Sequence, residues 1–216
     1  MAERIHQDND TLVHGVALEK AKVAVVLVMH GRGASASDLL PFVTQLPQGE
    51  DVVYMMPQAT DNTWYPNSGF GSFEANEPYL SSAWGTIDER LAQIKESGIP
   101  LENVIVGGFS QGACLMSEYV ARHAVHYGGL LVLSGALMGP EDTARDYEGS
   151  LAGTKVWVGG ANRDPWVTGK QLNETANVSE SLGATVSKQI HDSSEHTIRV
   201  ADIEKATHII NSVRDI

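Results

Sequence analysis

Three residues that together can activate a nucleophile occur in this chain in the order Ser110, Asp164 and His196. A serine hydroxyl is a poor nucleophile until an imidazole accepts its proton, and that imidazole needs a carboxylate that fixes its tautomer and stabilises its cation. Ser110 stands between glycines in Gly-Phe-Ser-Gln-Gly, directly after an apolar run, which predicts a sharp strand-to-helix turn that exposes the hydroxyl. The three residue types therefore predict acyl transfer through a serine.

The acid and the base of this set have alternatives. Asp164 precedes Pro165, which favours an extended loop conformation, whereas Asp142 and Asp146 follow an earlier predicted strand and are weaker candidates. His191 would directly follow a strand, whereas His196 lies in a polar turn five residues later and can reach two neighbouring loops more easily. We therefore predict Asp164 and His196.

Acyl transfer also needs two backbone N–H groups that bind the negatively charged oxygen of the intermediate. Gln111 follows the serine at a predicted helix N-terminus, so its amide is one candidate. The second should come from the glycine-rich turn Gly31-Arg32-Gly33 after the first long strand, which makes the amide of Arg32 the natural donor. The Arg32 guanidinium is not needed for this role.

Two other features resemble reactive sites but favour a structural explanation. Cys114 lies on the apolar face of the helix after Ser110, where packing is a better explanation than nucleophilic chemistry. His123 and His126 are three residues apart on a predicted helix, yet no carboxylate or cysteine at ligand spacing accompanies them. We therefore predict no metal site.

Apolar runs alternating with helical patterns predict an α/β fold whose central sheet is mostly parallel, with helices on both faces. The predicted strands are 22–29, 51–56, 103–108, 129–133, 154–158 and 184–190, with a more polar edge strand at 11–18. The predicted helices are 80–94, 111–126 and 200–213. Ser110, Asp164, His196 and Arg32 all follow carboxyl ends of predicted strands, where the working surface of such sheets lies.

Composition limits the partners and the location. The 216 residues, 42% of them hydrophobic, suit a single domain spanning 1–216. With 15 Lys and Arg against 27 Asp and Glu, the net charge of −12 argues against nucleic acid and anionic membranes as partners. The N-terminus lacks the layout of a signal peptide and no run is long enough to cross a membrane, so we expect a cytoplasmic location. Separately, we expect a monomer or a homodimer.

Four stretches resemble the carboxylesterase/phospholipase branch of the α/β-hydrolases, and they span most of the chain in the right order. They are "VMHGRGAS" from Val28, "GGFSQGA" from Gly107, "GGANRDPWV" from Gly159 and "EHTI" from Glu195. The order serine, acid, histidine is also that of α/β-hydrolases. The resemblance implies a hydrolase of carboxylic esters or thioesters without a large cap domain and without a cofactor.

The segments "NTWYP" at 62–66 and "NEPYLSSA" at 76–83 resemble loops that wall the acyl pocket in that branch, and an aromatic loop at 58–78 contains the first of them. The candidate pocket residues are Trp64, Tyr65, Phe70, Phe73 and Trp166. Two residues depart from the family pattern: Glu195 stands where glycine usually precedes the histidine, and Arg32 replaces an apolar residue, which could change the preferred substrate charge. A dienelactone-type or lysophospholipid hydrolase is the alternative, and a non-catalytic binding protein is the least favoured.

Overall fold

The computed structural model describes residues 3–21 and 24–214 of the chain. Its strands are Thr11–Gly15 (β1), Ala24–Met29 (β2), Val52–Pro57 (β3), Val104–Phe109 (β4), Gly129–Leu133 (β5), Lys155–Ala161 (β6) and Thr185–His191 (β7). Its α-helices are Leu40–Val43 (α1), Tyr79–Glu96 (α2), Gln111–Arg122 (α3), Gly169–Ser181 (α4) and Val200–Arg214 (α5). Strands and helices alternate along most of the chain, as the apolar runs predict.

All seven strands form one sheet in the order β1-β3-β2-β4-β5-β6-β7. β1 pairs antiparallel with β3 at one edge, and every other pair of neighbouring strands is parallel. β2 and β4 are neighbours, and β6 lies two strands from β4. Because these strands are parallel, the loops that follow them come together at the carboxyl ends of the strands. These loops carry Arg32, Ser110 and Asp164.

Both faces of the sheet are covered, which confirms the predicted α/β-hydrolase architecture. Alternate residues of β4 belong to two separate hydrophobic clusters: Val104 and Val106 to one, Ile105 to the other. The first cluster receives apolar side chains of α2, α3 and α4, and the second receives those of α1 and α5. Because successive side chains of a strand point to opposite faces, the apolar strand residues pack against a layer of helices on each face of the sheet. No large cap domain covers the sheet in the described part of the chain.

Several element boundaries differ from the sequence prediction. β1 ends at Gly15, whose φ of +98° turns the chain, so the predicted edge strand 11–18 is three residues too long. α3 ends at Arg122, four residues before the predicted end at 126. α4 was missed because Leu172 and Ala176 are its main buried apolar side chains; its clearest sequence signal is the capping box of Thr168 and Gln171. The first two residues of the predicted strand 22–29 lie outside the described residues.

Across the described residues, none of the helices combines the length and the apolarity that a membrane span requires.

Candidate active site

The turn at Ser110 joins β4 to α3 in a conformation that few L-residues adopt. Ser110 has φ +54° and ψ −118°, a strain that typically costs about 1–3 kcal/mol and is found mainly at functional sites. The turn is this sharp because its glycines let the backbones touch. A Cβ on Gly108 would lie 2.5 Å from the carbonyl carbon of Gly112, and one on Gly112 would lie 2.3 Å from the carbonyl oxygen of Met29. The predicted strand-to-helix turn is therefore present.

The structure brings Ser110, His196 and Asp164 into one chain of hydrogen bonds. The Ser110 Oγ lies 2.7 Å from Nε2 of His196, and Nδ1 of the same ring lies 2.6 Å from Oδ2 of Asp164. The other carboxylate oxygen of Asp164 accepts the amides of Trp166 and Val167 at 2.8 and 3.2 Å. An ionised carboxylate only accepts hydrogen bonds, so Nδ1 carries the proton and Nε2 is free to accept that of Ser110.

The alternative residues for acid and base are not part of this arrangement. His191 is the last residue of β7 and pairs in register with Ala161. Asp142 and Asp146 are exposed in the segment before β6. Among the described residues, no side-chain hydrogen bond links any of these three to Ser110 or His196.

The turn that carries His196 is fixed by Arg199, which the sequence reasoning missed. The Arg199 guanidinium donates to the carbonyl oxygens of Glu195 at 2.8 Å and Thr197 at 3.4 Å, the two residues that flank the histidine. Its side chain is only 13% exposed. From the other side, the Ser134 hydroxyl donates to the Thr197 carbonyl at 3.3 Å. The backbone on both sides of His196 is therefore tied down, although glycine is absent from position 195.

The peptide that contains the Arg32 amide is fixed by His30. Nδ1 of the buried His30 ring donates to the Gly31 carbonyl at 2.8 Å, because Nε2 already accepts the Ala59 amide at 3.0 Å. Burial lowers the pKa of His30, which keeps the ring neutral and preserves this tautomer. In a trans peptide the carbonyl and the following N–H point in opposite directions, so the Arg32 amide points away from the His30 ring.

The amides of Arg32 and Gln111 are both available to a ligand. Within the described residues neither N–H donates to a protein acceptor, as the first turn of a helix permits for Gln111. The loop of Arg32 lies close to the nucleophile, since a Cβ on Gly31 would be 3.3 Å from the Ser110 Cβ. Gly33 has φ +73°, the backbone turn that glycine favours. The two amides can therefore serve one oxyanion beside Ser110.

Two side chains anchor the aromatic loop to this turn. The side-chain carboxamide of Gln111 accepts a hydrogen bond from the backbone N–H of Trp64 at 2.9 Å and donates one to the Tyr65 carbonyl at 2.7 Å. The Arg32 guanidinium donates to the carbonyl oxygens of Pro66, at 2.6 Å, and Asn67. The guanidinium thus binds the loop backbone. The sequence showed only that Arg32 stands where the family usually has an apolar residue, and it did not indicate this structural role.

A cavity of about 610 Å³ opens beside the nucleophile, here called the Ser110 cavity. Ser110, Gln111, Arg32 and His196 contribute to its wall, and its other lining residues are mostly apolar. The latter include Tyr65, Phe70, Phe109, Cys114, Trp166 and Val167. Three of the five predicted pocket residues, Tyr65, Phe70 and Trp166, therefore line this cavity. Trp166 is 69% exposed and stands at its mouth.

The other two predicted pocket residues lie elsewhere, and that prediction was wrong. Trp64 is fully buried in the core, and its indole N–H donates to the His30 carbonyl at 3.0 Å. Phe73 packs under the Arg122 guanidinium, 4.7 Å from the ring centre. Both aromatic residues stabilise the loop behind the cavity, and aromatic type alone does not distinguish that role from contact with a ligand.

The remaining candidates take structural positions. His123 is the C-cap residue that follows α3, and its ring packs on Tyr119 at 4.3 Å between centroids, while His126 lies beyond the helix. Cys114 lines the cavity, but burial raises the pKa of its thiol to about 11, so it is not a thiolate at neutral pH. Among the described residues, no three His, Cys, Asp or Glu side chains are grouped closely enough to hold a metal ion.

Comparison with known proteins gives consistent matches. The protein-family model described as phospholipase/carboxylesterase matches residues 14–214. The crystal structure of a phospholipase/carboxylesterase from Dyadobacter fermentans is 36% identical, with a TM-score of 0.88 over 98% of this chain and 100% of that one. An acyl-protein thioesterase 1 from Kluyveromyces lactis is 28% identical over 65% of this chain and 69% of its own length. The Bacillus cereus carboxylesterase shares the fold, with a TM-score of 0.75 at 17% identity, over 95% of both chains.

Proposed function

Since this chain belongs to the phospholipase/carboxylesterase family and is a serine hydrolase of carboxylic esters, we propose that it acts through an acyl-enzyme formed on Ser110. The observation that carries the proposal is the chain of hydrogen bonds from Asp164 through His196 to Ser110. The three residues follow three different strands, β6, β7 and β4. Only the folded sheet brings them together in the geometry that acyl transfer needs.

In the first half of the reaction, the Ser110 oxygen attacks the ester carbonyl carbon while its proton passes to Nε2 of His196. Asp164 stabilises the imidazolium that forms. The amides of Arg32 and Gln111 bind the oxyanion of the tetrahedral intermediate. As the bond to the alcohol oxygen breaks, that oxygen takes the proton from Nε2, and the acyl group stays on Ser110.

In the second half, water replaces the alcohol. His196 takes a proton from the attacking water, a second tetrahedral intermediate forms on the same two amides, and its collapse releases the carboxylic acid. The proton returns to the Ser110 oxygen. Thioesters follow the same steps with a thiol as leaving group. The described residues supply every group that these steps need, so the proposal includes no cofactor or metal.

The Ser110 cavity supports a short or medium acyl group as substrate. Its apolar walls, with Tyr65, Phe70 and Val167, suit an aliphatic chain, and about 610 Å³ leaves room for a small acid. We keep the prediction of a small-molecule ester, a cytoplasmic location, a single domain, and a monomer or homodimer without nucleic-acid or membrane partners.

The test is covalent labelling by a fluorophosphonate probe combined with turnover of a p-nitrophenyl ester. Ser110→Ala should lose labelling and lower kcat by at least about a thousandfold, with an unchanged circular dichroism spectrum. Ser117→Ala is the matched control, because Ser117 lies on the same helix, where its hydroxyl donates to the Ala113 carbonyl. Turnover of Ser110→Ala within tenfold of the wild type would contradict the proposal, and so would labelling of that variant.

A further inference from the structure

A second cavity, of about 390 Å³, lies against the same histidine and is here called the Phe42 cavity. One side of it is formed by Leu39, just before α1, and Phe42, in α1. Another side is formed by Ile198, from the His196 turn, and Ile203, from α5. Its lining includes His196 but none of Ser110, Arg32 and Gln111, which line the Ser110 cavity. His196 therefore borders both cavities, whereas Ser110, Arg32 and Gln111 border the Ser110 cavity but not the Phe42 cavity.

The boundary between the cavities runs through the reacting centre. Gly31, Ala34, Phe109 and His196 line both. The rings of Phe109 and His196 pack 5.0 Å apart between centroids. A ligand attached to Ser110 would thus have one apolar space on the side of the nucleophile and another on the side of the imidazole.

The direction of proton transfer assigns one part of an ester to each space. The carbonyl carbon bonds to the Ser110 oxygen while its oxygen faces the Arg32 and Gln111 amides, so the acyl chain belongs to the Ser110 cavity. The leaving oxygen must face Nε2 of His196, since it takes the proton from there. The substituent on that oxygen then continues along the imidazole, toward Thr197 and Ile198.

We propose that the Phe42 cavity binds the alcohol or thiol portion of the substrate. The proposal rests on the function proposed above and adds a second specificity site to it. By microscopic reversibility, the same space would receive an alcohol that replaces water in the second half-reaction. The alcohol would then give its proton to His196, take the acyl group from Ser110 and leave as an ester.

The walls of the cavity also indicate the class of leaving group. Leu39, Phe42 and Ile203 present apolar surface, and the described lining residues include one carboxylate, that of Asp38. Hydrogen bonds from the Ser35 amide and hydroxyl lower the pKa of the Asp38 carboxyl, so it stays anionic. Uncharged alkyl or aromatic alcohols and thiols fit these walls, and leaving groups with a carboxylate or phosphate are disfavoured by Asp38.

Two ester series of similar intrinsic reactivity separate the two sites. The first keeps acetate and lengthens the alcohol from methyl through butyl to hexyl; the second keeps methanol and lengthens the acid to hexanoate. Ile203→Trp fills the Phe42 cavity and Phe70→Trp, the matched control, fills the Ser110 cavity. Gln45→Trp fills the Phe42 cavity from an exposed position and replaces Ile203→Trp if that variant does not fold.

The expected result is a crossed pattern in kcat/KM. Ile203→Trp should lower the value for hexyl acetate by about tenfold or more, while methyl acetate and methyl hexanoate change by less than about threefold. Phe70→Trp should lower kcat/KM for methyl hexanoate and leave kcat/KM for hexyl acetate unchanged within about threefold. The reverse pattern would overturn the proposal, and so would an alcohol profile that neither Ile203→Trp nor Gln45→Trp alters.

The charge preference has its own measurement. Wild-type protein should prefer hexyl acetate over the acetate ester of 6-hydroxyhexanoic acid, which carries a carboxylate, and Asp38→Asn should reduce that preference. An unchanged preference would overturn the assignment of Asp38. If wild-type protein hydrolyses no member of either series and is not labelled by fluorophosphonate, the proposed function itself fails rather than the placement of the alcohol.

Discussion

At the scale of single residues, the proposed mechanism depends on the protonation of one imidazole, that of His196. Asp164 holds the proton of His196 on Nδ1, and its two further hydrogen bonds from backbone amides keep the carboxylate in place. His191 ends β7 and, within residues 3–21 and 24–214, has no side-chain hydrogen bond to a carboxylate. His196→Ala should therefore abolish ester turnover and fluorophosphonate labelling, whereas His191→Ala should change each by less than about tenfold. An inactive His191→Ala together with an active His196→Ala would show that the wrong histidine was chosen.

Substitution can separate two roles of Arg32: the proposed binding of the oxyanion by its amide, and the hydrogen bonds of its guanidinium to the aromatic loop. Arg32→Ala keeps the amide, so turnover of methyl acetate should stay within about threefold, while KM for longer acyl groups should rise as the loop loosens. Gly33→Val should be far worse for every substrate, because a β-branched residue disfavours the φ of +73° on which the turn depends. The measurement is kcat and KM over the acyl series. A greater loss in Arg32→Ala than in Gly33→Val would place the guanidinium in the chemistry.

The residues that carry the proposed chemistry could be predicted, and several that support them could not. Ser110, Asp164 and His196 stand out because their side-chain types are uncommon together at the ends of apolar strands. Arg199 gives no such signal, because its partners at the active site are mainly backbone carbonyls, which every residue has. Trp64 was wrongly expected to line the pocket, because an aromatic side chain suits a core as well as a cavity.

At the scale of elements, the turn between β7 and α5 works as one unit around His196. Arg199 binds the carbonyls on both sides of the histidine, so Arg199→Ala should lower kcat by about tenfold and leave KM unchanged, since the ring loses its orientation while both cavities remain. Arg199→Lys should restore part of the rate. Arg163→Ala is the control, because Arg163 is exposed and pairs with Asp192 on the surface. A change in KM alone, or an equal loss in the control, would refute this role.

At the same scale, the strands were easier to predict than the helices. Buried strands such as β4 and β5 are continuous apolar runs, and their boundaries match the prediction within one residue. α4 buries Thr175 and Ser179 beside Leu172, so its inner face lacks a clear apolar stripe in the sequence. α3 ends early because the C-cap His123 leaves the helical conformation, with φ −121° and ψ 50°.

At the scale of the whole molecule, two buried histidines link stability to pH. Burial lowers the pKa of His6 and of His30, and in both rings one nitrogen accepts a backbone N–H, from Thr60 and Ala59 respectively. The unfolded chain binds protons below the ordinary histidine pKa of about 6.5, and the folded chain does so only at lower pH. The stability that neutral rings contribute is therefore present above pH 6.5 and is lost as pH falls below it.

Urea unfolding at fixed ionic strength, at pH 7.5 and 5.5, measures this loss. Each histidine contributes a slope of at most about 1.4 kcal/mol per pH unit. His6→Asn should be less stable than wild type at pH 7.5 but lose less on acidification. His208→Asn, which replaces an exposed histidine on α5, is the control for the substitution itself. Equal losses in wild type and His6→Asn would show that His6 does not contribute to this linkage.

The close contact between Gly112 and the carbonyl of Met29 has a consequence for the order of folding. Met29 ends β2 and Gly112 lies in the first turn of α3, so the two segments are more than eighty residues apart in the chain. Closing such a long loop is slow compared with forming a local helix. Because this contact packs the turn of Ser110 against the end of β2, we expect the turn to form only after β2 and β4 have joined. During refolding, enzymatic activity should therefore return later than helical circular dichroism.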